Sequence, residues 1–131
     1  MRDDWRKAAL EGDLAVIDSL LREGIDIDSK DRYGQTALML AARHGHEQMV
    51  QLLLKKEAAL DVTAKYRLSA LMLAVINHRA GIAKMLVAAG ADTAMRGSGP
   101  PGFSGKTAAD LAEDAGLEDL ASYLAAHDRP E

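Results

Sequence analysis

A six-residue block, Thr36-Ala37-Leu38-Met39-Leu40-Ala41, returns 33 positions later as Ser69-Ala70-Leu71-Met72-Leu73-Ala74. Self-similarity at this period is the mark of a chain built from small stacked units rather than around one thick core. The register extends in both directions. Tyr33 returns as Tyr66 and Leu53 as Leu86, while Ala41-Ala42, Gly45 and Leu53-Leu54 map back onto Ala8-Ala9, Gly12 and Leu20-Leu21. A fourth copy, Thr107-Ala108-Ala109-Asp110-Leu111-Ala112, follows Ser69 at an offset of 38, five more than the period. The loop-like segment Gly97-Ser98-Gly99-Pro100-Pro101-Gly102 supplies the extra length.

Each copy reads as two short helices. Thr36 is a good N-cap, Ala37, Leu38, Leu40, Ala41 and Ala42 follow at helical spacing, and Gly45 breaks the helix. A second helix begins near His46 and Glu47. Its apolar positions Met49, Val50, Leu52, Leu53 and Leu54 are too many for one buried stripe and predict a helix sandwiched between neighbours. The polar stretch Lys30 to Gln35 is a turn joining this copy to the one before. A unit of this size cannot bury its own apolar faces, so the copies must stack as a solenoid. Composition agrees: only 4% of residues are aromatic, which suits thin helices stacked through small side chains.

The remaining composition excludes whole classes. Hydrophobic residues make up 48% and charged residues 27% of the 131, as in ordinary globular proteins. There is no cysteine, hence no disulfide scaffold, thiolate zinc site or cysteine nucleophile. The longest mainly apolar run, Leu68 to Ile76, is far short of the ~20 residues of a membrane helix. The opening Met1-Arg2-Asp3-Asp4-Trp5 is no signal segment, which points to the cytoplasm.

The stretch Asp31-Arg32-Tyr33-Gly34-Gln35-Thr36-Ala37-Leu38-Met39-Leu40-Ala41-Ala42-Arg43-His44-Gly45-His46 resembles the ankyrin repeat, as does Met85-Leu86-Val87-Ala88-Ala89-Gly90-Ala91-Asp92. The resemblance covers roughly residues 3 to 126. It implies an all-α, ankyrin-type helical repeat solenoid with short hairpin-like turns between repeats. The chain then reads as a single domain over 1–131, with repeats at about 3–29, 30–62, 63–96 and 97–126, the first and last acting as caps, and a tail at 127–131. Asp3 is the expected first N-cap, Trp5 is expected to pack under the N-terminal cap, and His127 to Glu131 to fray.

Several residues depart from the family pattern. Ala37, Ala70 and Ala108 replace the Pro that would preset the first helical turn. Met39, Met72 and Asp110 stand where the family has His, so the resemblance does not carry over the hydrogen bonds that His makes to neighbouring turns. Glu57 occupies the place of Gly24 and Gly90, and Arg67 that of Gly34. The turn between the second and third copies is therefore expected to be the least regular of the interior stack.

No motif for catalytic or cofactor chemistry is complete in the sequence. Gly105-Lys106-Thr107 opens a helix as a phosphate-binding loop does, but that motif needs glycine where Pro100 stands. Proline has no amide hydrogen to offer a phosphate. In the repeat frame the same residues are a turn glycine, the counterpart of Gln35, and an N-cap. His44-Gly45-His46 spans a helix break and is poorly placed to aim both rings at one metal. No serine lies in a nucleophile elbow. The reading is no enzyme, no cofactor and no metal. A net charge of −4 without a basic cluster interleaved with aromatics argues against nucleic acid.

Charge is nevertheless segregated. Residues 1–29 carry 4 basic and 8 acidic side chains, residues 30–96 carry 10 and 5, and residues 97–131 carry 2 and 7. A basic middle lies between acidic ends. In solenoids of this kind the turn tips and the exposed edge of the first helix line a concave face. The matching residues are Lys30, Arg32, Tyr33, Gln35, Arg43 and His44, then Lys65, Tyr66, Leu68, Ile76 and Asn77, then Phe103 and Lys106. Tyr33 and Tyr66 at equivalent tips are either a binding surface or braces for the turns. The function that follows is a non-catalytic protein-interaction module, a monomer on its own, binding through this face a protein with an acidic patch, and not a membrane. The alternatives are a fixed subunit of a larger assembly and a nucleotide-binding protein using the 97–107 loop.

Overall fold

Three equivalent hydroxyls start three equivalent helices. The side chains of Thr36, Ser69 and Thr107 accept hydrogen bonds from the amides of Met39, Met72 and Asp110 at 3.2–3.3 Å, each from an extended backbone. Each thereby satisfies one of the unpaired N–H groups of a helix start. The computed structural model describes residues 1–99 and 102–127. Among them are α1 (Asp3–Glu11), α2 (Leu14–Arg22), α3 (Ala37–His44), α4 (Glu47–Lys55), α5 (Ala70–Ile76), α6 (Ala80–Ala88), α7 (Ala108–Asp114) and α8 (Glu118–His127), and no β-strand.

The helices form antiparallel pairs stacked in two layers. The inner layer runs α1, α3, α5, α7 and the outer layer α2, α4, α6, α8, each helix touching its neighbour in the layer and its partner in the pair. Every residue from Ala37 to Ala42 in α3 and from Ala70 to Val75 in α5 is buried, because each of these helices has a neighbour on both sides and an outer helix behind. The end helices α1 and α7 bury narrower sets: Trp5, Ala8 and Ala9, and Ala108, Leu111 and Ala112. In α4 only Met49, Val50 and Leu53 are buried, with Leu52 and Leu54 half-buried. The second helix lies between neighbours, as the apolar run of α4 suggested, but the first helix of each interior pair is the more fully enclosed.

Trp5 is fully buried, as expected, and its indole N–H finds no acceptor among the described residues. Asp3 does not cap α1. Arg2 holds the cap position and makes no side-chain cap bond, while Asp3 and Asp4 lie in the first turn. The two carboxylates there complement the positive end of the helix dipole. At the other end, His127 is still helical and its carbonyl accepts from the Thr93 hydroxyl at 3.2 Å, so it does not fray. The rest of the expected tail, 128–131, lies outside the described residues.

One hydrogen-bonded skeleton builds all three turns between repeats. Asp31 N–H donates to Gln35 O and Gly34 N–H to Asp31 O; Ala64, Leu68 and Arg67 repeat the pattern. Gly97 N–H donates to Lys106 O and Gly105 N–H to Gly97 O, closing the same turn around the five extra residues. Glu57 (φ 63°) and Arg67 (φ 57°) take the left-handed backbone of the glycines they replace, with the same hydrogen bonds, so the irregularity expected at these two positions is absent. It falls instead on Tyr66, which is left-handed at φ 63° within a single 3-10 turn, Lys65–Arg67. The reason lies two residues back. Asp31 accepts from the amides of Tyr33 and Gln35 at 2.9 Å each, whereas Ala64 in its place has no acceptor. Tyr66 turns its carbonyl to the Ser98 amide, 2.8 Å away.

Side-chain ties also recur between repeats. Asp28 accepts from Ala59 N–H at 2.8 Å and Asp61 from Asp92 N–H at 2.9 Å. His46 Nε2 lies 2.6 Å from Leu10 O, and Arg79, its counterpart, donates to Arg43 O at 3.4 Å. Close packing accompanies the second tie: a Cβ on Gly45 (φ 78°) would meet the Arg79 guanidinium at 2.8 Å.

Glu57→Gly is expected to stabilise the fold by about 1 kcal/mol, by relieving a left-handed non-glycine residue. Gly45→Ala is expected to cost about 1–2 kcal/mol, by creating such a residue and displacing Arg79. Urea denaturation of the two variants beside the parent checks both signs.

Candidate interaction groove

The inner ends of the turns and of α3 and α5 enclose an open groove of about 530 Å³. Leu68, Leu73 and Ile76 line it with Ala64, and Asn77 closes one end, its amide held on Leu73 O at 2.8 Å. Tyr33, Gln35 and Arg43 of the second repeat line it too, along with Arg6 of α1. The remaining lining is Lys65, Tyr66 and Phe103. The Tyr66 and Phe103 rings pack with centroids 5.7 Å apart, and Lys65 Nζ lies 5.0 Å from the Tyr66 centroid.

Nine of the thirteen residues assigned to the concave face come together here: Tyr33, Gln35, Arg43, Lys65, Tyr66, Leu68, Ile76, Asn77 and Phe103. Lys30, Arg32, His44 and Lys106 lie outside it. Lys30 is exposed on its turn, Arg32 sits 5.8 Å from the Tyr33 ring beside a second hollow, and His44 stacks on His46 with centroids 6.4 Å apart. Lys106 is ion-paired with Asp114. The two tyrosines have different surroundings. Tyr66 is half-buried against Gly99 and Phe103, while Tyr33 is 57% exposed.

Arg6, Ala64 and Leu73 were missed. The signal for Arg6 was present: it occupies in the first copy the position of Met39, Met72 and Asp110, where the family has His. It does what was not expected from those residues. Its Nε donates to Asp31 of the next turn at 3.0 Å. Leu73 gave no signal, since its counterpart Leu40 is buried in the stack.

Asp31 organises this edge. Burial alone would raise its pKa, but the amide of Gln35, the Arg6 guanidinium and the amide of Tyr33 outweigh burial and hold the carboxyl below the usual aspartate range. The charged side chains lining the groove are all cationic, and of these Arg6 is paired with Asp31. Arg6, Arg43 and Lys65 line it and no carboxylate does. Arg43 donates only to Gln35 Oε1 at 3.3 Å, and among the described residues neither Arg43 nor Lys65 has an acidic partner. His44, at the end of α3, is held below the ordinary histidine range by burial first and then by the charges of Arg43, His46, Arg79 and Arg6.

The Gly-Lys-Thr segment serves the fold. Thr107 and Asp110 form a reciprocal capping box, each side chain bonded to the other's amide, and Lys106 is held by Asp114. Pro100 and Pro101 lie outside the described residues. Among the described residues no cluster of three His, Asp or Glu side chains could hold a metal ion, and no helix is long and apolar enough to cross a membrane.

Residues 6–97 match the family described as ankyrin repeats in three copies. The chain belongs to the ankyrin-repeat family. Ankyrin repeats are in general protein-interaction modules. The chain is 49% identical over 45 residues, 34% of its length, to ankyrin repeat domain-containing protein 29 of Danio rerio, covering 15% of that protein. It is equally identical over 45 residues to a protein of Oryza sativa subsp. japonica named as the probable E3 ubiquitin-protein ligase XBOS33, covering 9% of it. It is 41% identical over 50 residues, 38% of its length, to the ankyrin repeat, SAM and basic leucine zipper domain-containing protein 1 of Atelerix albiventris, covering 10% of it. The chain therefore spans only a small part of these relatives.

Asp31→Ala is expected to cost about 1–2 kcal/mol, because the amides of Tyr33 and Gln35 and the Arg6 guanidinium lose their acceptor. Asp31 also predicts a pH dependence. Its folded pKa is depressed, so its contribution is present above the ordinary carboxylate pKa of about 4 and is lost as pH falls through the folded value. Urea midpoints measured between neutral pH and acid are expected to fall less steeply in Asp31→Asn than in the parent.

Proposed function

We propose that this chain is a non-catalytic module that docks a protein partner on its concave face, with the groove between the second and third repeats at the centre of the contact. One observation carries the reading: among the described residues an apolar-floored groove is lined by Arg43 and Lys65, neither with an acidic partner, and by no carboxylate, although the chain as a whole is acidic. Such a surface suits a partner with an acidic patch, and the attraction speeds encounter and sets orientation. The rigid stack supports it further, since a preformed surface loses little conformational entropy on binding. In this reading the chain is a monomer on its own and works in the cytoplasm.

The test is capture of partners from a lysate of the source organism, with Arg43→Glu/Lys65→Glu as the control bait after its helicity is checked by circular dichroism. Both side chains are exposed, so the pair is expected to fold. Proteins held by the parent are expected to fall at least about tenfold with the reversed charges and to weaken in salt. Capture equal for both baits would move the contact to another face and overturn the proposal.

A further inference from the structure

The apolar floor of the groove is only one repeat wide. In the second repeat the positions of Leu68, Ile76 and Asn77 are held by Gln35, Arg43 and His44. In the fourth repeat the positions of Leu68 and Ile76 are held by Lys106 and Asp114, which pair with each other. At these positions the third repeat is apolar between two polar neighbours among the described residues. Its slot is also walled. The turn before the fourth repeat keeps its hydrogen-bonded base while carrying five extra residues, and it brings Phe103 against Tyr66, whose backbone is tied to Ser98. Two cations without an acidic partner among the described residues line it from different repeats: Arg43 on the second and Lys65 on the third.

A volume of about 530 Å³ lies in the range of small-ligand pockets, which enclose a large side chain and its neighbouring backbone. It is not the broad surface that two folded domains press together. The charges specify the rest. An anchor entering the slot is flanked by Arg43 and Lys65, so carboxylates on either side of the anchor find partners, and added cations are repelled.

Building on the docking reading above, we infer that the slot of the third repeat takes one leucine- or phenylalanine-sized side chain from an extended, acidic peptide segment, with carboxylates before and after the anchor reaching Arg43 and Lys65. The side chains that set the preference are Ile76 in the floor and Phe103 in the wall.

The probes are fluorescein-labelled heptapeptides with three glutamates on each side of a central leucine, phenylalanine or serine, and a lysine-flanked leucine peptide, read by anisotropy with the whole chain. The leucine or phenylalanine peptide is expected to bind saturably, the serine peptide at least about tenfold more weakly through loss of apolar burial, and the lysine peptide not at all. Ile76→Gln and Phe103→Ala are expected to bring the leucine peptide towards the serine value while leaving the weak, salt-sensitive charge component. Arg43→Glu/Lys65→Glu is expected to abolish binding of every glutamate peptide. Equal affinity for the leucine and serine peptides would overturn the anchor. Binding of the lysine peptide would overturn the charge complementarity. If no peptide binds while lysate partners are still lost with the charge-reversed bait, the peptide inference falls and the docking reading stands, with a folded partner in place of a peptide. If both baits also capture the same partners, both fall.

Discussion

No helix pair in this chain can bury its own apolar surface, and the rest of the structure depends on that constraint. The helices α3 and α5 hide every residue over Ala37–Ala42 and Ala70–Val75 by lying between neighbours. Five of those twelve positions are alanine, Ala37, Ala41 and Ala42 in one helix and Ala70 and Ala74 in the next, and they keep the inner layer thin. Stability in such a stack comes from each repeat and its interface with the next, so the ends require surfaces that tolerate water. The narrower buried sets of α1 and α7 meet that requirement, and Trp5 fills the first end with an indole N–H that has no acceptor among the described residues.

A regular stack by itself presents a uniform face. The groove arises where the repeat is broken. Asp31 ties the second turn through two amides and Arg6; Ala64 leaves the third turn without that acceptor; Gly97 opens the fourth turn, where a Cβ would meet the Phe103 carbonyl at 2.6 Å. These are three residues at one position of the repeat. Their differences hold Tyr33 out in solvent, turn Tyr66 to the left-handed backbone and let the extra loop fold over it. Backbone strain at Tyr66, of a kind that costs about 1–2 kcal/mol, is offset locally by the Ser98 hydrogen bond and the Phe103 contact. Recognition and irregularity therefore share a location, while the scaffold beneath stays periodic.

Periodic features were legible in the chain because each is enforced by the same local chemistry in every copy. The caps at Thr36, Ser69 and Thr107, the turn skeleton and the site of the five-residue excess follow from offsets alone. Glu57 and Arg67 were misread because composition reports what a residue prefers, and here tertiary packing imposes the glycine conformation on both. Arg6 stands in register with Met39, Met72 and Asp110, but its bond to Asp31 in the next repeat is a tertiary contact that the register alone does not specify.

The sequence by itself determined that this chain stacks short helical pairs at a 33-residue period, and where their helices begin, because apolar spacing and capping hydroxyls act within a few residues of themselves. It also placed most of the groove's side chains on one face. Only the tertiary structure decided which of them meet. Tyr66 leans on Phe103, Lys106 is taken by Asp114, and Arg43 and Lys65 are left without acidic partners among the described residues. Those outcomes depend on distances between repeats, and such distances are set by packing rather than by spacing along the chain.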